Sequence, residues 1–137
     1  MSKKERIVYF NGKYIPESQA VVPFRDRSFK YGDGVFDMTR TFGHKIFKIE
    51  EHVDRLFNSL NYLDISIDQS KTEMIDISNK VLDLNLPLID QKGDYWVGQR
   101  ISRGVDLVGG EQWDLDGGPT VIVECAPLPL RPRASLY

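Results

Sequence analysis

The chain has 137 residues, of which 41% are hydrophobic and 28% are charged, and its formal net charge at pH 7 is −2. This size and composition are typical of one soluble globular domain with a hydrophobic core. The near-neutral charge and the absence of a lysine or arginine run exclude the pattern of a nucleic-acid-binding protein.

Features that would indicate export, membrane insertion or cysteine chemistry are absent from the sequence. No apolar run approaches the length of a membrane span, and residues 1–6 lack the apolar region of a signal peptide. Cys125 is the only cysteine, which excludes an internal disulfide and a cysteine metal cluster, and we predict no metal ligand. We therefore expect a cytoplasmic protein with no membrane or nucleic-acid partner.

A short hairpin is predicted near the start of the chain. Residues 6–10 and 13–15 are rich in aromatic and β-branched side chains, and they flank Asn11 and Gly12. Asn-Gly between two such segments is the strongest short-range signal for a two-residue type I′ turn.

The segment after this hairpin has a mixed composition. Residues 20–22 predict a short extended piece, and residues 23–30 predict a loop or a single helical turn. We expect Arg25 and Arg27 to be solvated or paired locally with Asp26.

Residues 30–40 read Lys-Tyr-Gly-Asp-Gly-Val-Phe-Asp-Met-Thr-Arg, which predicts a glycine-punctuated turn that opens into an alternating strand. The strand spans 35–42, turns at Gly43 and His44, and returns over 45–48. Alternate side chains of a strand face opposite sides of the sheet. One face carries Gly34, Phe36, Met38 and Arg40, and the other carries Val35, Asp37, Thr39 and Thr41. The glycine pattern alone is equally compatible with an edge turn before an ordinary strand.

A first helix is predicted over 49–63, because apolar residues recur there at helical spacing. His52, Arg55 and Ser59 lie on a face next to the apolar one. The predicted buried stripe consists of Ile49, Val53, Leu56, Phe57 and Leu60.

A second helix is predicted over 70–85. It begins with a capping box formed by Ser70 and Glu73, and it stops before Pro87. Its predicted buried stripe consists of Met74, Ile77, Val81 and Leu84.

Residues 95–103 and 120–126 predict two further strands, separated by a long loop over 104–119 that is rich in Gly and Asp. The tail, 127–137, has three prolines and two arginines without a packing pattern, and it predicts a linker. The order of elements predicts an α+β domain in which two helices cover one side of an antiparallel sheet.

Two motifs, at residues 31–37 and 51–56, carry a family resemblance. Tyr-Gly-Asp-Gly-Val-Phe-Asp, followed after a short hairpin by Glu-His-Val-Asp-Arg-Leu, resembles the class IV, or fold type IV, pyridoxal-phosphate-dependent aminotransferases. That family includes branched-chain and D-amino-acid aminotransferases, (R)-amine transaminases and aminodeoxychorismate lyases. The resemblance runs over about residues 8–127, and the predicted fold matches the smaller N-terminal domain of the family.

The resemblance implies an N-terminal domain over 1–127 and an interdomain linker over 128–137. In this family the lysine that binds pyridoxal phosphate, and the carboxylate at the pyridine nitrogen, lie in a larger C-terminal domain. None of the lysines here matches the family's lysine motif. We therefore expect that this chain lacks the C-terminal domain and contains no catalytic residue. We also expect that the chain alone is inactive.

Arg55 matches the phosphate-binding arginine of the family. A guanidinium suits that role because its planar fork offers several donors and keeps its charge. From spacing alone, the alternative is a surface arginine paired with Asp54 or Glu51. The resemblance also includes His52, which we expect to support the junction of helix and sheet.

Tyr31, Phe36 and Arg40 match positions that line the substrate pocket of branched-chain aminotransferases. The two aromatic residues would supply apolar walls and a hydroxyl, and Arg40 would meet a carboxylate or orient its neighbours. The alternative for these three residues is core packing together with an arginine at a strand end.

The resemblance implies a homodimer that moves an amino group between an amino acid and a 2-oxo acid. A branched-chain or other apolar amino acid is the first choice of substrate. Two departures leave other members open. Branched-chain enzymes often carry an arginine two residues after the tyrosine that corresponds to Tyr95, and Val97 stands at that position here. Residues 101–104, Ile-Ser-Arg-Gly, are more similar to the D-amino-acid and (R)-amine branches. The alternatives are a D-amino-acid or (R)-amine transaminase, an aminodeoxychorismate lyase, and a non-catalytic domain that binds a small anion.

Overall fold

Six strands form one antiparallel sheet in the part of the chain that the structure, a computed structural model, describes: residues 4–88, 93–111 and 114–129. In chain order the elements are β1 (Ile7–Phe10), β2 (Lys13–Pro16), a 3₁₀ turn (Glu17–Gln19), α1 (Arg27–Tyr31), β3 (Gly34–Phe42), β4 (Lys45–Ile46), α2 (Ile49–Leu63), α3 (Lys71–Asn85), β5 (Tyr95–Ser102) and β6 (Thr120–Pro127). The sheet order is β2-β1-β6-β5-β3-β4. Most of the predicted linker, from residue 130 onward, lies outside the described residues.

The predicted hairpin is confirmed by β1 and β2. Asn11 and Gly12 have φ values of 47° and 95°, so both occupy the left-handed region that a type I′ turn requires. The side-chain oxygen of Asn11 also accepts a hydrogen bond of 2.7 Å from the backbone N–H of Val121. This bond fixes the turn against the start of β6.

The predicted extended piece at 20–22 is wrong. The chain continues from the 3₁₀ turn without forming a strand, and the N–H of Val21 donates to the carbonyl of Gln19 at 3.0 Å. Val21 and Val22 are exposed. β-branched side chains favour a strand only where a neighbouring strand and a packing surface are available.

The β3–β4 hairpin and α2 agree with the prediction, except that the return strand is shorter. β4 spans only Lys45–Ile46, because Lys48, with a φ of 51°, leaves the extended region and precedes α2. Helix α2 has the predicted bounds and buries Val53, Leu56 and Leu60. Burial of each such side chain contributes about 1.5–3 kcal/mol to folding.

Helix α3 begins with the predicted capping box. The Ser70 hydroxyl accepts from the Glu73 N–H at 3.1 Å, and the Glu73 carboxylate accepts from the Ser70 N–H at 3.4 Å. Its buried residues include Met74 and Val81 as predicted, but Leu82 is in the core whereas Leu84 is only partly buried. The apolar stripe is therefore rotated slightly from the predicted one.

Helices α2 and α3 cover one face of the sheet, and the core lies between these helices and the sheet. The α+β fold class is confirmed, and the opposite face of β3 and β5 carries the exposed rings of Phe36 and Trp96. Within the described ranges, no helix is long and apolar enough to cross a membrane.

The predicted surroundings of Arg27 are wrong. Arg27 is only 8% exposed, and its guanidinium donates to Asp33 at 2.8 Å and to Asp106 at 3.0 Å rather than to Asp26. Asp26 is fully buried and caps α1 by accepting from the Ser28 N–H at 2.9 Å. A paired arginine tolerates burial because its donors are satisfied by carboxylates. Arg25 stays partly exposed, with its guanidinium 4.8 Å from the Phe24 ring centroid.

Candidate functional site

Strand β3 presents side chains that border the candidate site on both faces of the sheet. Phe36 and Arg40 lie on the open face, whereas Asp37 lies on the face that α2 covers. β5 pairs with one edge of β3 over 34–40, and β4 pairs with the other edge only at Thr41 and Phe42. Among the described residues, the outer edge of β3 before Thr41 therefore has no partner strand.

Arg55 reaches from α2 to β3, where it is held by Asp37. Its Nε donates to Asp37 Oδ2 at 2.6 Å, and its Nη2 donates to Asp37 Oδ1 at 3.0 Å. The Arg55 side chain is 66% exposed, whereas that of Asp37 is only 3% exposed. The interaction is a bidentate pair between a buried carboxylate and an exposed guanidinium, a geometry that fixes the guanidinium plane.

His52 contacts the same carboxylate. Its Nδ1 lies 2.5 Å from Asp37 Oδ1, one helical turn before Arg55. Because an ionised carboxylate offers only acceptors, Nδ1 carries the proton in this bond. The bond joins α2 to β3 at the junction of helix and sheet.

The pKa of Asp37 is lowered by these contacts. Burial by itself raises the pKa of a carboxyl, but the hydrogen bonds and positive charges of Arg55 and His52 outweigh it, so the pKa lies below the ordinary 3.8. Asp37 is therefore ionised at neutral pH.

A shallow hollow of about 410 Å³ lies beside Arg55. Asn58, Ser59 and Tyr62 follow Arg55 at helical spacings of three, four and seven, and so lie along one side of α2. The hollow is lined by Val35, Arg55, Asn58, Ser59, Tyr62 and Leu63, and we call it the Arg55 hollow. An exposed guanidinium beside a hydroxyl and an amide can bind an anion such as a phosphate group.

The alternative interpretation of Arg55, a surface pair with Asp54 or Glu51, is wrong. Asp54 pairs instead with Lys71 at 3.2 Å. The partner of Arg55 is Asp37, which was not predicted as a site residue. The position of Asp37 in the strand is the one sequence signal that could have indicated its role. An acidic residue at a strand position that faces a helix needs a charged partner.

Phe36 and Arg40 share the open face of β3, where Phe36 lies opposite Arg100 and Arg40 opposite Trp96. The Phe36 ring is 66% exposed and lines a hollow of about 360 Å³ together with Gly34, Arg100 and Ser102, among others. The Arg100 guanidinium lies 5.6 Å from the Phe36 ring centroid and donates to Glu124 at 2.7 Å.

Arg40 is oriented by its neighbours. Its guanidinium lies 4.0 Å from the Phe42 ring centroid, its Nε donates to the Thr41 carbonyl at 3.0 Å, and its Nη2 lies 3.7 Å from Asp94.

Tyr31 lies at the end of α1 and does not line the hollow beside Phe36. Its ring is 61% exposed, and the Arg27 guanidinium lies 4.8 Å from its centroid. Core packing is therefore the wrong interpretation for Tyr31 and for Phe36, because both rings are exposed.

A network of charged residues connects α1 and the long loop to the end of α2. Arg103 donates to Asp33 at 2.8 Å and to the backbone carbonyls of Leu63 and Asp64 at 2.8 and 3.2 Å. Asp33 also accepts from Arg27, which reaches Asp106 in the loop. Arg103 thus satisfies carbonyls that the end of a helix leaves without donors, which gives it a structural role rather than that of a substrate-binding cation.

The described lysines do not surround the candidate site. Lys30 pairs with Asp106, Lys71 pairs with Asp54, and Lys80 lies over the Tyr14 ring. None of the described lysines lines the Arg55 hollow or the hollow beside Phe36. In the same part of the chain, no group of three His, Cys, Asp or Glu residues could hold a metal ion.

Known proteins with similar sequences and folds are aminotransferases. The chain is 34% identical over 122 residues to a protein assigned as a branched-chain-amino-acid aminotransferase in Methanocaldococcus jannaschii, covering 89% of this chain and 40% of that protein. It is 32% identical over 78 residues to D-alanine aminotransferase of Staphylococcus aureus, covering 57% of this chain and 28% of that enzyme. No protein-family profile matches the chain.

The fold agrees with these matches. The branched-chain amino acid aminotransferase of Escherichia coli superposes with a TM-score of 0.80 at 22% identity, covering 96% of this chain and 43% of that one. The chain spans about 40% of the length of the first of these relatives. The fold and the sequence matches agree in class, since the similar proteins are branched-chain and D-alanine aminotransferases. The chain is similar to these fold type IV aminotransferases and matches them at their N-terminal domain region.

Proposed function

We propose that this chain is the N-terminal part of a pyridoxal-phosphate-dependent enzyme that moves an amino group between an amino acid and a 2-oxo acid. The observation that carries the proposal is the exposed guanidinium of Arg55, held by the buried Asp37 beside a hollow. This arrangement fits the phosphate group of the cofactor, because a fixed cation with unoccupied donors binds such a group well.

The chain's own contribution is binding and orientation. When bound, pyridoxal phosphate supplies an electron sink for the reacting amino acid. Arg55 would hold the phosphate end, and a lysine of the family's larger C-terminal domain would hold the reactive end. Phe36 and Arg40 would contact the substrate from the open side of β3, and Tyr31 from the end of α1.

A branched-chain or other apolar amino acid is the substrate that we favour. The exposed Phe36 ring offers an apolar wall, and the Methanocaldococcus relative is assigned to branched-chain substrates. A D-amino acid is the second candidate, favoured by the similarity to D-alanine aminotransferase over 78 residues. The proposal includes a homodimer, because exposed aromatic side chains such as Phe24 and Phe29 offer an apolar surface to a second copy. It also includes the cytoplasmic location that is expected from the sequence.

Two substitutions in the assembled enzyme test the residue roles. Arg55→Ala removes one or two charge-assisted hydrogen bonds, each contributing about 1.5–3 kcal/mol, so cofactor affinity should fall roughly ten- to a hundredfold or more. Substrate preference should stay nearly unchanged in that variant, because the phosphate end is common to all substrates. Arg40→Ala should instead raise the Michaelis constant and leave the cofactor bound.

Both variants are dialysed, and the remaining cofactor is measured by absorbance, followed by steady-state kinetics with several amino acids. If Arg55→Ala retains cofactor as tightly as the parent, the phosphate assignment is wrong.

A further inference from the structure

The proposed anion site depends on the orientation of one exposed side chain. An arginine on a helix surface samples many rotamers, and each ordered side chain loses conformational entropy when it binds a ligand. Arg55 is already ordered, because its Nε and Nη2 both donate to a carboxylate in β3. That carboxylate cannot easily turn away, since Asp37 is buried and an unpaired buried charge is costly.

We propose that Asp37 is a positioning residue, which fixes the guanidinium of Arg55 so that its remaining donors face an incoming phosphate group. The proposal rests on the proposed function of Arg55 and describes how that anion site is pre-organised. Asp37 occupies the Nε and Nη2 edge of the guanidinium, which leaves the Nη1 hydrogens and the second Nη2 hydrogen. One Nη1 hydrogen and the second Nη2 hydrogen form the other edge of the fork, which can donate two parallel bonds to one phosphate.

His52 completes the arrangement from the same helix. It donates to Asp37 Oδ1, the oxygen that also accepts from Arg55 Nη2. Asp37 is therefore held by two residues one helical turn apart, and its rotation would break both contacts. The unit of Asp37, His52 and Arg55 couples the orientation of the cation to the junction of α2 and β3.

Positioning and simple electrostatics predict opposite results for the removal of the Asp37 charge. A carboxylate this close to the guanidinium offsets part of its positive potential, so loss of that charge alone should strengthen anion binding. Loss of positioning should weaken it, because the guanidinium must then be ordered by the ligand. Asp54 provides a matched control: it precedes Arg55 on α2, carries the same charge, and pairs with Lys71 instead of Arg55.

The experiment uses the ¹⁵N-labelled chain and the variants Asp37→Asn, Asp54→Asn and Arg55→Ala. Inorganic phosphate and pyridoxal phosphate serve as separate probes, and the Arg55 Nε–H resonance reports exchange with water. We expect a protected Nε–H in the parent chain and in Asp54→Asn, and a rapidly exchanging one in Asp37→Asn. Phosphate affinity should fall about threefold to tenfold in Asp37→Asn and stay equal or rise in Asp54→Asn.

A second pair of variants covers the case in which Asp37→Asn does not fold, as judged by circular dichroism. His52→Ala removes the second donor to Asp37 and should weaken phosphate binding in the same direction. His52→Asn can place an amide N–H near the former Nδ1 position and should restore phosphate binding. A purely structural role of His52 would lower the melting temperature without this difference in affinity.

Two outcomes overturn different claims. If phosphate binds Asp37→Asn as tightly as the parent chain or more tightly, Asp37 is not a positioning residue. If Arg55→Ala leaves phosphate binding unchanged, the anion site itself is wrong, and the proposed role of Arg55 fails with it.

Discussion

Replacing Arg103 by methionine should destabilise the fold much more than the same change at Arg100. Arg103 donates to Asp33 and to two carbonyls at the end of α2. Methionine keeps most of the apolar stem, so the change removes mainly the guanidinium. A hydrogen bond to a charged group contributes about 1.5–3 kcal/mol, and Asp33 keeps its bond from Arg27. We therefore expect a loss of about 2–3 kcal/mol, which lowers the melting temperature by roughly 6–12 °C.

Arg100→Met is the matched control for this measurement. Arg100 lies three residues earlier and forms an ion pair with Glu124, in which the arginine is about half exposed. Exposed pairs of this kind contribute about 0–1 kcal/mol. Urea unfolding followed by circular dichroism gives both values. Equal losses in the two variants would show that the Arg103 network does not stabilise the junction of α1, the long loop and α2.

Three further predictions concern pH, covalent chemistry and association. Asp26, Asp33 and Asp37 have pKa values below the ordinary 3.8, so their contribution to stability is present above that value and is lost as pH falls through the folded-state pKa values. The urea concentration at the unfolding midpoint should therefore decrease as the pH is lowered from 5 to about 2, whereas a flat profile would contradict the pairing. Borohydride treatment of the chain with pyridoxal phosphate should give no stoichiometric adduct at one lysine, and mass spectrometry that finds one would refute this. Light scattering should show self-association of the chain, and a strictly monomeric mass at high concentration would count against the homodimer.

The sequence predicts local elements well where the periodicity of apolar residues agrees with the capping or turn residues at the ends of the element. Helix α2 has the predicted bounds because its apolar period is regular, and α3 begins at the predicted capping box. The type I′ turn follows from Asn11 and Gly12 alone, because few residue pairs accept its φ values. The segment 20–22 shows the limit, since strand propensity has no effect without a neighbouring strand.

Partners across the fold could not be predicted in the same way. Arg27 pairs with Asp106, which is 79 residues away, and Arg55 pairs with Asp37, which is 18 residues away. Both pairs depend on how β3, α1 and α2 pack, whereas sequence spacing shows only neighbours on one helix or strand. The motif match pointed to Arg55, but only the structure shows the buried carboxylate that holds it.

The most direct measurement of the central claim is a titration of the ¹⁵N-labelled chain with pyridoxal phosphate and, separately, with pyridoxal. The two ligands share the ring and differ in the phosphate group. If Arg55 binds the phosphate, pyridoxal phosphate shifts the Arg55 Nε–H and the amides of Asn58 and Ser59 beside it, and pyridoxal does not. Equal shifts with both ligands, or shifts confined to residues away from the Arg55 hollow, would contradict the account.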